Sequence, residues 1–224
     1  MCFSQISSLC FSSIGFINTY RLYKNKYPLY FYLHIILYSC MEFLQFLQYF
    51  YVNECNTINN ILTRLAYILI WIQPLTYNIF YYLTNKRYLD VFIYNIILSI
   101  FAFYWAMDRM FFHTFHFNPP RLDEVNSGNV SCTYLGKTHL YWKFKINTNN
   151  GLEATYLLYM LFICLPAFWV DQWKKAFYLN FTFVSGLLLS YTYTQNLEEA
   201  ISFWCLLSLP YLLISMIIPV KYMI

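Results

Sequence analysis

The 24 charged residues of this chain, 14 Lys and Arg with 10 Asp and Glu, are bunched rather than spread. That spacing constrains the fold more than any other feature. Leu65 to Asn85, Phe177 to Leu197 and Ala200 to Val220 contain no charged side chain. A hydrocarbon core about 30 Å thick is crossed by roughly 20 predominantly apolar helical residues, and each stretch has that length. An ordinary soluble domain carries about 25% charged residues, whereas this 224-residue chain is 11% charged and 60% hydrophobic. The formal net charge is only +4 and the basic residues are scattered. No nucleic-acid partner is expected, because such binding needs a concentrated basic face.

The 24 Tyr and 22 Phe set against 5 Gly and 7 Pro are also what an AT-rich coding sequence yields. That bias selects among apolar residues, but it does not clear charge from some 20 positions at a time. Seven stretches read as membrane spans: Cys2 to Tyr20, Pro28 to Val52, Asn60 to Thr84, Tyr88 to Met107, Glu153 to Val170, Lys175 to Thr194, and Glu199 to Val220. The first lacks a basic region before its apolar part and has its charges after it, at Arg21, Lys24 and Lys26. It therefore reads as a retained helix and not a cleaved signal. The expected fold is all-α: one domain over residues 1–224, a polytopic bundle of seven transmembrane helices.

Orientation follows from the short connections. Arg21, Lys24, Lys26, Lys86, Arg87, Lys174, Lys175 and Lys221 all fall on one side, while Asn53 to Asn59 and Gln195 to Glu198 hold no basic residue. Lys and Arg accumulate on the cytoplasmic side, so the N-terminus is expected outside or lumenal and the C-terminus in the cytoplasm. The long outer loop, about 108–152, joins the fourth and fifth helices. Asn118-Pro119-Pro120 breaks any helix there, and Asn126 to Asn129 reads as a loop. From Lys137 to Asn147, polar and apolar residues alternate, with Leu140, Trp142, Phe144 and Ile146 on one face. That is a strand pattern, read as a short β-hairpin over the outer mouth of the bundle. Asn129-Val130-Ser131 is an N-glycosylation acceptor triplet on this side. Cys55 and Cys132 both lie in outer connections, where an oxidising compartment permits a disulfide tethering the hairpin. Cys10, Cys40, Cys164 and Cys205 read as small apolar helix residues, and no paired-Cys zinc spacing occurs.

Ionisable groups inside spans are costly and tend to serve function. Glu42 is the clearest, near mid-membrane in the outer half, with Gln45 and Tyr49 on its helix face at i+3 and i+7. Arg64 is near the outer end of the third helix and leans outward, so it is expected to snorkel and not to pair with Glu42. Tyr67 and Gln73 on the third helix and Ser208 on the seventh lie at the depth of Glu42. Pro74, Pro166 and Pro210 release the carbonyls of Ile70, Phe162 and Leu206; such carbonyls either line an ion site or are re-satisfied by neighbours. At the outer rim stand His139, the helix-starting pair Glu198 and Glu199, and Cys2, a nucleophile only if His139 and an acid converge on it. His113 and His116 are spaced for a metal but flank a loop.

A seven-helix count invites comparison with retinal proteins and G-protein-coupled receptors. No Lys lies between Glu199 and Val220 to form a Schiff base, so no retinal or other cofactor is expected; the Asp-Arg-Tyr and Asn-Pro-x-x-Tyr patterns are also missing. Other segments carry a resemblance: Met1-Cys2-Phe3-Ser4, Met41-Glu42-Phe43-Leu44-Gln45, Asn60 to Tyr67 followed by Gln73-Pro74 and Asn78, Gly136 to Trp142, and Phe203-Trp204-Cys205-Leu206. In these the chain resembles an uncharacterised seven-helix membrane protein family of bacteria and large DNA viruses. Leu69 stands where that pattern has a His, against any mechanism needing a histidine at that level. The resemblance implies an architecture and no chemistry; with the AT-biased composition it points to a viral source.

The expected function is binding or permeation of a small solute or ion at a polar site of Glu42, Gln45, Tyr67 and Gln73, covered by His139 on the hairpin. Two alternatives stand beside it: a membrane-embedded enzyme using Glu42 and His139 as acid and base or holding a metal, and a structural scaffold. The expected partners are the lipid bilayer, the solute or ion, and a further copy of the chain in a homo-oligomer.

Overall fold

The computed structural model describes residues 5–85, 87–112, 119, 124–148, 156–170 and 173–207. Among these the chain is mostly helical, with α1 (Gln5–Lys24), α2 (Leu29–Gln48), α3 (Thr57–Thr84), α4 (Leu89–Met107), strands β1 (Cys132–Leu135) and β2 (Leu140–Lys143), then α5 (Tyr156–Ala167), α6 (Trp173–Thr194) and α7 (Leu197–Leu207). Each of the seven expected spans coincides with a helix. Cys2, His113, His116, Asn118, Pro120, Ser208 and Pro210 lie outside the described residues.

Local chemistry sets the boundaries. Lys26 has a positive φ of 58° and ends the turn after α1, and Pro28, with its fixed φ, precedes α2 as N-cap. The Asn56 side chain caps α3 by accepting from Asn59 N at 2.9 Å. Helix α4 runs on into a π-helical turn at Asp108–Phe112.

Two helices, Leu29–Gln48 (mean hydropathy 1.2) and Leu89–Phe112 (1.7), are long and apolar enough among the described residues to cross a membrane, and Leu157–Ala167 is a shorter apolar helix. The expected seven spans are thus met as seven helices, but by length and apolarity in only two. Polar residues lower the apolarity of α1 and α3, and they are turned inward: Ser8, Ser12 and Asn18 of α1 and Asn59, Thr63, Gln73 and Asn78 of α3 are buried.

Helices α1 and α2 pack along each other, α3 lies against both α2 and α4, and α6 lies against α7. Small residues let the first pair approach: a Cβ at Gly15 would run into the Ser39 side chain. The outward faces are apolar, with Phe43 and Phe50 from α2 and its C-terminal turn, and Ile93, Tyr94, Ile97, Leu98 and Phe101 on α4, all exposed.

The hairpin covers one end of this bundle. β1 and β2 pair antiparallel, Thr133 opposite Trp142 and Leu135 opposite Leu140. Leu140, Trp142, Phe144 and Ile146 form the buried face that their alternation predicts, while Tyr141 and Lys143 are half-buried and Lys145 is exposed. Trp142 Nε1 donates to Gln48 Oε1 at the end of α2 (3.0 Å), and the Phe144 ring packs on Tyr67 of α3 (4.9 Å between centroids). Asn59 treats β1 as a neighbouring strand would: its Oδ1 accepts from Thr133 N (2.7 Å) and its Nδ2 donates to Thr133 O (3.1 Å). Cys55 and Cys132 are joined by a disulfide with their Cα atoms 5.1 Å apart, tying the segment before α3 to the first residue of β1.

The proline carbonyls are resolved in part. Helix α3 continues through Pro74 and α5 through Pro166. The Phe162 carbonyl, left without its helical donor by Pro166, accepts from Asn78 Nδ2 at 3.0 Å. A neighbouring amide re-satisfies it.

Candidate functional site

The hairpin's turn brings one histidine down onto the bundle. Gly136, Lys137, Thr138 and His139 link the strands, and Gly136 N donates to His139 O at 2.8 Å. The turn is held by a single carboxylate from the start of α7. Glu199 accepts from Lys137 N (3.1 Å), Thr138 N (3.0 Å), His139 N (3.2 Å) and the Thr138 hydroxyl (2.6 Å). Gly136 is the residue this approach requires, because a Cβ there would collide with the Glu199 carboxyl and come within 2.5 Å of His139 O. Beside it Lys143 of β2 pairs with Glu198. Glu198 and Glu199, the pair that starts the last helix, both reach the hairpin.

So anchored, His139 is 1% exposed. Its Nε2 faces Gln45 Oε1 at 3.0 Å and its Nδ1 faces the Tyr49 hydroxyl at 3.2 Å. A carbonyl oxygen only accepts, so Nε2 carries the proton and Nδ1 accepts from the tyrosine. Phe203 packs against the ring, 5.9 Å between centroids. Burial pushes the imidazole pKa down to about 4, while the Glu199 charge pulls it the other way; at neutral pH the ring is uncharged.

Glu42 lies one helical turn deeper on the same face of α2 and is 1% exposed. Neither carboxylate oxygen has a hydrogen-bond partner among the described residues, nor has Ser8 Oγ on α1 or Gln45 Nε2. Ser8 and Cys205 of α7 are the side chains close enough to Glu42 to act on it electrostatically. The other expected members stand elsewhere. Gln73 Oε1 accepts from Tyr159 of α5 at 2.5 Å. The Tyr67 hydroxyl is buried with no hydrogen-bond partner, its ring lying between Trp71 and Phe144. The site around Glu42 is therefore built from α1, α2 and α7, with Gln45 linking it to His139; no hydrogen bond joins it to Tyr67 or Gln73. Linear spacing reports a residue's level along its helix and not which neighbours it meets.

Arg64 does not meet Glu42: its guanidinium lies 5.7 Å from the Phe111 ring centroid. Arg109, inside the π-helical turn and fully buried, is held by Glu124 through two contacts of 3.2 and 2.8 Å and donates from Nε to Asn147 O at 2.6 Å. It ties together parts of the long segment between α4 and α5, a pairing across 15 residues that no local pattern announces. Asn129 sits on an exposed bend at the rim of a groove of about 370 Å³ lined by Gly128, Val130, Tyr134 and Lys143. No group of three or more His, Cys, Asp and Glu side chains is placed to hold a metal ion among the described residues.

No solved structure matches the chain. A curated relative does: an uncharacterized protein of Acanthamoeba polyphaga mimivirus, 31% identical over 233 residues, an alignment taking in 93% of this chain and 91% of the relative. The model of the family of unknown function DUF5765 matches residues 6–224. Because that match runs through α2 with Glu42, the disulfide, the hairpin and α7 alike, the chain belongs to the family of unknown function DUF5765.

Proposed function

We propose that this chain is a multi-pass integral membrane protein of seven spanning helices, N-terminus outside or lumenal and C-terminus cytoplasmic, that binds or passes a small ion or solute at a buried polar site around Glu42. The observation carrying the reading is the inversion of polarity across the helices. On α2 the buried residues include His34, Ser39, Glu42, Gln45 and Gln48, while Phe43 is exposed. Helix α4 buries Ser99, Ala102 and Ala106 and exposes Ile97, Leu98 and Phe101. A surface helix in water has the opposite arrangement, its apolar stripe facing the core. Lipid reverses it, because helices there meet through small and polar residues and present apolar side chains outward.

A buried, unpartnered carboxylate is costly in any fold. Such groups in membrane proteins mark ion, proton or substrate sites, and that supports placing the activity at Glu42. The disulfide and the exposed Asn129 side chain share one end of the bundle, and both suit an outer or lumenal compartment. Expression in a eukaryotic host with Asn129→Gln as control tests the orientation: a glycosidase-sensitive shift in the native chain, missing in the variant, is the expected result. The function is tested in proteoliposomes. Glu42→Gln is expected to abolish the uptake of the ion or solute that the native chain supports, and unchanged uptake refutes the role of Glu42.

A further inference from the structure

Among the inward-facing residues of α2 and its C-cap, five polar side chains share one narrow arc. His34, Tyr38, Glu42, Gln45 and Tyr49 succeed one another at steps of 4, 4, 3 and 4 residues, so all five lie within about 80° of the helix circumference. The first four are buried, at 4, 5, 1 and 0% exposure. At about 1.5 Å per residue the series runs roughly 22 Å along the helix, most of a hydrocarbon core about 30 Å thick.

Both ends of the series are met by further proton-bearing groups. At the outer end Tyr49 donates to His139 Nδ1, and His139 Nε2 donates to Gln45. In the middle Tyr38 shares a 3.1 Å hydrogen bond with the Tyr77 hydroxyl of α3. The His34 ring meets Tyr77 edge-on at 4.1 Å between centroids. Among the described residues, His34 Nε2, both oxygens of Glu42 and Gln45 Nε2 are buried without hydrogen-bond partners, so the series has unused donors and acceptors at three of its five positions. Side chains three or four residues apart on a helix stand about 5–6 Å apart at Cβ, a gap that one bridging water closes.

We propose that the ion handled at Glu42 is the proton, carried along this α2 series between the two membrane faces. The proposal deepens the function proposed above and rests on it. The alternatives among small cations need more oxygen than the described residues around Glu42 offer. A hard metal ion takes six or more oxygen ligands, whereas Glu42 has near it the hydroxyl of Ser8, the thiol of Cys205 and the amide of Gln45. A proton needs no coordination shell and no open pore, only donors and acceptors in sequence. Each hop breaks one O–H or N–H bond and forms another, with Glu42 alternating between carboxylate and carboxylic acid, so the net change is one proton moved from one side to the other. Gln45 does not itself titrate; it orients His139. The groups facing the route are Glu199 at His139, Cys205 and Ser8 at Glu42, and Tyr77 between Tyr38 and His34.

The test uses the full chain in proteoliposomes loaded with a pH-sensitive dye, with a potassium gradient and valinomycin supplying the driving force and parallel vesicles carrying a sodium indicator. The expected result is proton flux above that of protein-free vesicles, lowered at least tenfold by Glu42→Gln, partly restored in Glu42→Asp, and lowered by His34→Phe. The Cys55–Cys132 bridge, read on a non-reducing gel, reports that each variant has folded. Proton flux equal to that of empty vesicles, or unaffected by Glu42→Gln in a folded variant, overturns the proposal. Sodium flux that depends on Glu42 without proton flux overturns it too, while leaving the broader reading of Glu42 as an ion site intact. Flux of neither ion, with no effect of Glu42→Gln on any solute, removes both.

Discussion

Lowering the pH should loosen the hairpin through His139. Its neutral ring is matched to its surroundings, Nε2 donating to Gln45 and Nδ1 accepting from Tyr49. An imidazolium needs acceptors at both nitrogens, so the Tyr49 hydroxyl would have to turn around, and a charge would sit where the residue is 1% exposed. Burial accordingly holds the folded pKa at about 4 against an ordinary 6.5. Between those values the unfolded chain binds more protons than the folded one, so stability is fully present above pH 6.5 and is lost as pH falls toward 4. At 1.36 kcal/mol per unit, the loss comes to about 3 kcal/mol. The assay is thermal unfolding in detergent from pH 7.5 to 4 under non-reducing conditions, followed by tryptophan fluorescence. His139→Gln, which keeps polar contacts without a titrating group, is the comparison. Relative to the variant, the native chain should lose stability as pH falls through the window. Parallel curves for the two proteins would falsify the assignment, and so would a native-minus-variant difference that grows as pH falls.

Two further outcomes follow from the tethers of the same hairpin. Replacing Cys55 and Cys132 by Ser opens a loop closed across 77 residues, and chain-entropy reasoning puts the loss at about 4 kcal/mol; a large fall in melting temperature and protease cleavage between 124 and 148 are the readouts. Gly136→Ala forces the turn away from Glu199, with an overpacking cost of roughly 1–3 kcal/mol, seen as a lower melting temperature with the disulfide still formed.

The alternation of Leu140, Trp142, Phe144 and Ile146 was enough to foresee β2 and its buried face, because a strand's side-chain period of two is written locally. Its partner β1 was missed: Cys-Thr-Tyr-Leu is only four residues long and is held largely by the side chain of Asn59, 74 positions away. Helix spacing puts Gln45 on the face of Glu42, and the hairpin pattern puts His139 over the site, but nothing in a linear reading shows that Gln45 hydrogen-bonds His139.

The spacing of charges determined by itself where the helices run, since the removal of charge is a property of contiguous residues. It also singled out Glu42 as the acid buried deepest in an apolar segment. Only the tertiary structure decided what that carboxylate faces. Which of α1, α3 and α7 lies against one 80° arc of α2 depends on side-chain packing between elements far apart in sequence. That packing set Ser8 and Cys205 beside Glu42 and gave Gln73 to Tyr159. It also turned Glu199 from a helix-end acid into the clamp that seats His139 above the site.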